Sequence, residues 1–240
     1  LAMANTAEKL ARQYELSREE CDAYALLTQQ RYSAALAAGL YDDEIAPVVI
    51  KSRRGDKTID KDEHPRPEAT AEGLAKLPAV FEKDGRVTAG TASGIVDGAA
   101  TVLVTTAERA AAEGWPVLAR IVSFAAVGCD PTIMGIGPVP AIQQTLRSAG
   151  WDANDVDLFE VNEAFAPQYL AVEKALGLPR DRTNVDGGAI ALGHPLGASG
   201  TRITLHLAWR LFRGAGQRAV GSACIGGGQG IAIALERATA

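Results

Sequence analysis

Cysteine is scarce in this chain, and its few cysteines lie far apart. Only three occur among 240 residues, Cys21, Cys129 and Cys224, and no two of them form a CxxC pair. An odd number of separated cysteines argues against a disulfide framework or a zinc site, and no other metal site is expected. It favours a reducing compartment, either the cytoplasm or, in a eukaryote, the mitochondrial matrix or peroxisome.

Long apolar runs and an excess of positive charge are also missing. No stretch of 18 or more apolar residues occurs, so no membrane span is expected. The first residues have neither a basic region nor an apolar core, which excludes a signal peptide, and without an initiator methionine we expect this N-terminus to be a cut. The formal net charge of −5 disfavours nucleic-acid binding.

The first third of the chain predicts helices followed by a hairpin and a loop. Residues 5–8 (NTAE) and 17–20 (SREE) each resemble a capping box, and the second predicts a long helix that ends at Gly39. Residues 47–60 predict a hairpin with its turn at 54–56. The basic residues around that turn favour a solvated surface, with a phosphate contact as the minority interpretation. Residues 60–85 predict an irregular, loop-rich segment, and we expect a domain boundary near residue 95.

The remainder predicts alternating strands and helices. Strands are expected at 100–105, 117–127, 157–161, 218–224 and 230–236, and helices near 107–114, 139–149, 163–176 and 199–213. The alternation favours α/β layering with a mixed, mostly parallel sheet. Helix 199–213 is apolar on most sides, which predicts that it lies between two layers.

Three polar side chains are expected where predicted strands end or enter a loop. Asn162 follows one strand, His194 lies in a glycine-rich loop, and Cys224 precedes four glycines in the five positions 226–230. Taken singly, an Asn is more often a helix cap, a His a satisfied loop residue and a Cys an inert small hydrophobe. Together they indicate a site, because open α/β sheets place ligands at strand ends. The glycines match neither a Walker cradle nor a GxGxxG dinucleotide motif.

Longer motifs in the same regions resemble those of one family. The stretches are VTAGTASG at 87–94, MGIGP at 134–138, NEAFA at 162–166, GGAIALGHPLGASG at 187–200 and CIGGGQG at 224–230. In this order they resemble the C-terminal part of the thiolases, the acetyl-CoA acetyltransferases and 3-ketoacyl-CoA thiolases. The resemblance implies the layered αβαβα thiolase fold with an α+β loop domain. It also implies cleavage or formation of 3-ketoacyl-CoA, with coenzyme A as a substrate and no cofactor.

The resemblance implies roles for particular residues. Cys224 matches the acid/base cysteine, and His194 the histidine that activates a separate nucleophilic cysteine. Asn162 matches a residue that holds a water in the same oxyanion hole, and the N–H of Gly226 matches a donor in a second hole. The remaining matches are expected contacts of CoA or the acyl chain: Ser93 and Ala89 along the pantetheine arm, Arg66 and Leu77 near the adenine end, and Met134 and Phe165 as acyl-pocket walls. A simple core role is as consistent for the last two.

One departure from the family pattern determines which functions we consider for this chain. The N-x-x-C-x-S-G motif of the nucleophilic cysteine does not occur in this sequence. We therefore expect residues 1–94 to be a partial loop domain, 95–117 the last strand and helix of an otherwise absent N-terminal domain, and 118–240 the C-terminal domain. An N-terminal thiolase segment and a homo-oligomer are the implied partners. The alternatives are a non-catalytic acyl-CoA-binding or assembly subunit and, less favoured, an acyltransferase in which Cys224 alone forms a thioester. Position 91 is Thr where the family commonly has Asn. Ala2 stands where some biosynthetic members carry His, so degradative members fit at least as well.

Overall fold

The computed structural model describes residues 2–238. Its helices and strands follow the predicted alternation closely. The helices are α1 (Met3–Gln13), α2 (Arg18–Ala37), α3 (Ala71–Ala75), α4 (Ala107–Glu113), α5 (Pro138–Ala149), α6 (Ala166–Leu176), α7 (Ala189–Leu192) and α8 (Ser199–Phe212), with a 3-10 segment at Pro131–Ile136 and a short one at Ala153–Asp155. The strands are β1 (Val48–Ile50), β2 (Lys57–Ile59), β3 (Ala119–Gly128), β4 (Leu158–Val161), β5 (Arg218–Ile225) and β6 (Gln229–Arg237).

A four-stranded mixed sheet with the order β3-β6-β5-β4 forms the centre of the fold. β4 and β5 pair in parallel, whereas β3–β6 and β5–β6 are antiparallel. The predicted mixed α/β layering is confirmed, but the sheet of the described residues is less parallel than expected. The physical reason is that β6 returns from β5 through a tight glycine turn, and a turn that short joins only antiparallel strands.

Helices cover both faces of this sheet. Ala232 and Ala234 of β6 pack with Ile142 of α5 in the main core. On the opposite face, Leu235 packs with Leu207 of α8. Outside α5 and α6, helices α1 and α2 add a further layer. The sheet is therefore held between helices, as buried strands require.

The α2 and hairpin predictions are confirmed. Ser17 caps α2 and Glu20 closes the reciprocal bond of the capping box. β1 and β2 pair around the turn that contains Gly55, whose φ is +113°.

The capping box predicted at 5–8 was wrong. Helix α1 begins at Met3, so residues 5–8 lie inside it. Glu8 is buried and accepts hydrogen bonds from the backbone N–H groups of Arg86 and Val87 instead of capping its own helix. The Glu8 carboxylate therefore binds a distant loop in the fold and does not cap its own helix, as the sequence had suggested.

The strand predicted at 100–105 is absent from the described residues. The segment is exposed, and its apolar side chains face solvent, with Leu103 73% and Val104 67% exposed. A strand needs a partner for its backbone N–H and C=O groups, and no described strand pairs with this segment. Apolar alternation in the sequence favours a strand, but a strand forms only where a neighbouring strand can accept its backbone hydrogen bonds.

Helix α8 is buried on one side only. Ile203, Leu207 and Leu211 face the sheet, whereas Leu205 and Trp209 are half-buried and Phe212 is exposed. The prediction that two layers enclose this helix therefore does not hold for the described residues. None of the described helices has the length and apolar character needed to cross a membrane.

Candidate active site

The site lies at the shared end of the parallel strands β4 and β5. Val161, the last residue of β4, is in register with Ser222 of β5. The ladder continues by one bond, since the N–H of Asn162 donates to the Ser222 carbonyl at 2.9 Å. Asn162 and Cys224, two residues beyond Ser222, therefore occupy the same edge of the sheet, as the sequence predicts.

His194 reaches this edge from the loop after α7. Gly193 has φ +93°, and a Cβ there would lie 2.7 Å from the Val96 side chain, so only glycine fits. The N–H of His194 donates to the Gly94 carbonyl at 2.8 Å. The VTAGTASG segment thus fixes the backbone that carries the imidazole.

The His194 ring lies between an amide and a hydroxyl. Its Nε2 is 3.3 Å from Nδ2 of Asn162, and its Nδ1 is 2.6 Å from the Ser199 hydroxyl at the start of α8. Burial lowers the pKa of His194, and the buried Arg202 guanidinium lowers it further. The imidazole is therefore neutral at pH 7 and can accept a proton.

Asn162 presents an unpaired oxygen at this position. The residue is 1% exposed, and its Oδ1 accepts no hydrogen bond from any residue in the range 2–238. A buried amide oxygen without a partner is costly in free energy, on the order of 1–3 kcal/mol. Such an atom is typical of a site that receives a polar ligand atom or water.

Cys224 lies where β5 enters its turn to β6. It pairs with Gly230 across the hairpin, and the turn itself is Gly226–Gly228. A Cβ on Gly228 would lie 2.6 Å from the Cys129 carbonyl, whereas one on Gly226 would meet nothing within 4 Å. The backbone at Gly226 is thus open to a ligand, which suits an N–H donor to an oxyanion.

Two of the three thiols, Cys224 and Cys21, differ in exposure. The Cys224 side chain is only partly exposed, and burial raises the pKa of its thiol to about 12. Burial raises the pKa of Cys21 to about 12 as well, in the interior of α2 with no exposed surface. Cys224 is therefore protonated at neutral pH and able to donate a proton, whereas Cys21 is an inert core residue.

Three of the residues predicted to contact CoA lie on segments next to the site. Both the N–H and the hydroxyl of Ser93 donate to the Ala164 carbonyl, at 3.1 and 3.0 Å. Ala89 is exposed, and Leu77 packs beside the neighbouring Gly90. The structure therefore places Leu77, Ala89 and Ser93 along one path that leads to the NEAFA loop.

Arg66 lies in the loop that carries His64. Its exposed guanidinium donates to the carbonyls of residues 63–65 in its own loop. That loop meets the site through His64, which contacts the Ala191 carbonyl at 2.9 Å and packs on Gly94.

The two expected pocket walls both contact core residues. Met134 is 6% exposed in the 3-10 segment, and its carbonyl lies 3.9 Å from the Cys129 sulfur. Phe165 is partly buried and packs against a small cluster that includes Ala4, Ala7 and Val87. These contacts are compatible with both interpretations that the sequence left open.

Two residues of the site were missed. Glu163 is fully buried next to Asn162 and accepts hydrogen bonds from four residues. Ser199, the first residue of α8, contacts the His194 imidazole. The signal that could have found them is their position, since Glu163 lies in the NEAFA motif beside Asn162 and Ser199 lies in the GHPLGAS motif with His194. The partners of Glu163 include α2, more than 130 residues away, which no local pattern reveals.

A mixed α/β layered fold here brings a proton-donating thiol, a neutral imidazole and a buried amide to one glycine-lined edge. Such an arrangement defines the class of proton-transfer and oxyanion-stabilising sites. Comparison with known proteins specifies the family. Residues 115–237 match the thiolase C-terminal domain, and residues 1–108 match the thiolase N-terminal domain.

Individual relatives match across nearly the whole chain. Human mitochondrial 3-ketoacyl-CoA thiolase is 58% identical over 236 residues, which are 98% of this chain and 59% of that protein. Acetyl-CoA acetyltransferase of Pseudomonas aeruginosa is 52% identical over 98% of this chain and 60% of its own length. The crystal structure of the human mitochondrial enzyme in complex with CoA superimposes with a TM-score of 0.95 at 57% identity, covering 99% of this chain and 59% of that one.

The chain belongs to the thiolase family. It spans about three fifths of the length of these relatives. The family match to both thiolase domains extends the resemblance seen in the sequence beyond the C-terminal portion.

Proposed function

We propose that this chain forms the acid/base and CoA-binding part of a thiolase that cleaves 3-ketoacyl-CoA with CoA or runs the reverse condensation. One observation carries the proposal: the 3.3 Å contact between His194 and Asn162, with the free Asn162 oxygen beside it. The higher identity to 3-ketoacyl-CoA thiolase than to acetyl-CoA acetyltransferase supports the degradative direction.

In this proposal the nucleophilic thiol belongs to an N-terminal thiolase segment outside the 240 residues. His194 Nε2 takes its proton, the resulting thiolate attacks the ketone carbon, and the carbon–carbon bond then breaks to leave an acyl-thioester and an acetyl-CoA enolate. Cys224 gives its proton to the enolate carbon. The Cys224 thiolate then takes the proton of the incoming CoA thiol, whose sulfur displaces the acyl group. The nucleophilic cysteine leaves as a thiolate and recovers its proton from His194 Nε2, so protons and leaving groups balance.

The raised pKa of Cys224 supports the donor role. A thiol with a pKa of about 12 keeps its proton at pH 7, so it is a poor resting nucleophile but holds a proton that a strongly basic enolate carbon can take. Gly226 N–H and the His194–Asn162 pair would stabilise the two oxyanions, because preorganised donors at a developing charge contribute most to such reactions.

The CoA assignment follows the surface from Arg66 through Leu77 and Ala89 to Ser93, with Met134 and Phe165 as acyl-pocket walls. The CoA complex of the human relative supports coenzyme A as a substrate, and no cofactor is invoked. We also propose the domain division at 1–94, 95–117 and 118–240, a homo-oligomeric assembly, and a reducing compartment such as the cytoplasm or the mitochondrial matrix.

The test is CoA-dependent cleavage of acetoacetyl-CoA by the chain alone and after addition of an N-terminal thiolase segment. We expect activity only in the completed protein, and Cys224→Ser should lower kcat by about 10²- to 10⁴-fold, the usual contribution of a general acid/base. Cys21→Ala is the matched control, since it also removes a thiol but lies in the core of α2.

Other outcomes would contradict the proposal. No activity in any completed protein would refute it. Tight CoA binding by the chain, with no rate loss in Cys224→Ser, would favour the non-catalytic binding subunit. An acyl adduct on Cys224 in the mass spectrum of the isolated chain would favour the single-thiol acyltransferase.

A further inference from the structure

The His194 imidazole contacts one partner on each side of its ring. Ser199 lies 2.6 Å from Nδ1 and Asn162 lies 3.3 Å from Nε2. A neutral imidazole carries its single N–H on one nitrogen only, and the partners decide which one. The two contacts together therefore carry information about the tautomer.

The hydroxyl of Ser199 lies between two groups on the Nδ1 side. Its oxygen lies 3.1 Å from the Pro195 carbonyl, which has no proton and can only accept. When the hydroxyl proton points to Pro195, the Ser199 oxygen accepts from His194, and this arrangement requires the ring proton on Nδ1.

The amide of Asn162 favours the same tautomer from the other side. The group facing Nε2 is the Asn162 Nδ2, which can only donate, so Nε2 carries the lone pair in this arrangement. The contacts from α8 and from the residue after β4 are thus satisfied together by the Nδ1-protonated tautomer.

We propose that Ser199 is a positioning residue that holds His194 in the Nδ1-protonated tautomer, with Nε2 as the basic nitrogen toward Asn162. The catalytic consequence rests on the proposed function: only Nε2 faces the site, so only this tautomer can take the proton of the nucleophilic thiol. The resulting imidazolium keeps its Nδ1–H on Ser199 and returns the Nε2 proton later, so no proton leaves through the serine.

The experiment is long-range ¹H–¹⁵N correlation NMR of the histidine rings in the 240-residue chain, which distinguishes protonated from unprotonated ring nitrogens without requiring activity. Only three histidines occur, so a His194→Gln variant assigns the signals. We expect unprotonated Nε2 in the wild type and a mixture of tautomers in Ser199→Ala. In the completed enzyme, kcat of Ser199→Ala should fall about three- to tenfold with a smaller change in KM, as for the loss of one neutral hydrogen bond.

Two further variants separate positioning from a general effect on α8. Thr204→Ala is the matched control, because Thr204 makes the same kind of bond one turn along the helix, from its hydroxyl to the Gly200 carbonyl at 2.8 Å. It should change neither the tautomer nor kcat. Ser199→Thr keeps the hydroxyl and should retain the wild-type tautomer.

The two proposals fail separately. A protonated Nε2 in the wild type, or an unchanged tautomer in Ser199→Ala, overturns the role of Ser199 even if the thiolase reaction is observed. A tautomer change in Ser199→Ala together with an inactive completed protein supports the role of Ser199 and refutes the proposed reaction.

Discussion

Glu163 is a carboxylate with no exposed surface directly after Asn162. Its oxygens accept hydrogen bonds from the hydroxyls of Tyr24 and Thr28, at 2.5 and 3.0 Å. The Asn184 amide and the Ile190 N–H donate to it as well, at 3.0 and 3.1 Å. One side chain thus joins α2, the NEAFA loop and the segment that leads into His194.

We predict that Glu163→Gln lowers the free energy of unfolding by about 2–4 kcal/mol, measured by urea denaturation. The glutamine NH₂ faces donors where an acceptor is required, so buried groups lose partners. Glu113→Gln, which breaks an exposed pair with Arg109 on α4, is the control and should cost less than about 0.5 kcal/mol. Equal stability of the two variants would show that the Glu163 hydrogen bonds contribute little.

At this scale the sequence predicts the polar residues that face the site and misses those that hold them. Strand ends and glycine-rich loops carry Asn162, His194 and Cys224, and such positions can be recognised in the sequence as accessible to a ligand. Glu163 and Ser199 act through partners that only the tertiary fold supplies. Arg202 lowers the pKa of His194 electrostatically. The tertiary fold holds it there through its 2.8 Å ion pair with buried Glu160.

Among the elements, α8 does more than cover the sheet, because its buried His206 ties it to two loops. His206 Nδ1 lies 2.9 Å from Glu44, after α2, and its Nε2 lies 3.0 Å from Asp186, before α7. Burial alone would lower the pKa of His206, but the hydrogen bonds to Asp186 and Glu44 outweigh it and raise the pKa to about 9. The ring is therefore a buried cation between two carboxylates at pH 7.

This cluster predicts a pH dependence of stability. Because the folded-state pKa lies above the unfolded value of about 6.5, the stabilisation is complete below pH 6.5, declines as the pH rises, and is lost above about pH 9. The size is on the order of 3 kcal/mol, measured as the free energy of unfolding in urea between pH 6 and pH 10. His206→Gln should remove the slope over this range; the same slope in the variant would assign it to other groups.

Hydrophobic periodicity predicted the helices and strands that pack against other described elements. Strands β3 to β6 and helices α5, α6 and α8 appear within a few residues of the expected bounds. Residues 100–105 did not form the expected strand, because hydrophobic alternation specifies a strand only when another edge completes its hydrogen bonds. The antiparallel β5–β6 pairing was missed since the glycine stretch was considered as a ligand loop and not as a hairpin turn.

At the scale of the whole molecule, apolar side chains are exposed on the segment after residue 94 and on the edge strand β3. Ile95 is 83% exposed and Phe124 73% exposed, and Leu103 and Val104 extend the same character. Half of α8 adds further apolar surface. Large apolar side chains that are exposed in such numbers are typical of surfaces that bind other proteins.

We predict that the 240-residue chain associates in solution, with a molar mass by light scattering above the 25.1 kDa of one copy. Leu103→Asp should reduce association because it places a charge in the apolar segment. Val80→Asp, at another exposed position in the loop after α3, should leave association unchanged. A monodisperse wild-type monomer would contradict the prediction.

The buried oxygen of Asn162 links ligand binding to stability. No described residue donates a hydrogen bond to it, so a donor group on a bound molecule can satisfy this oxygen only while the protein is folded. A molecule that binds the native state and not the unfolded chain raises the free energy of unfolding by mass action. Occupancy of the site is therefore also expected to protect the chain against denaturation.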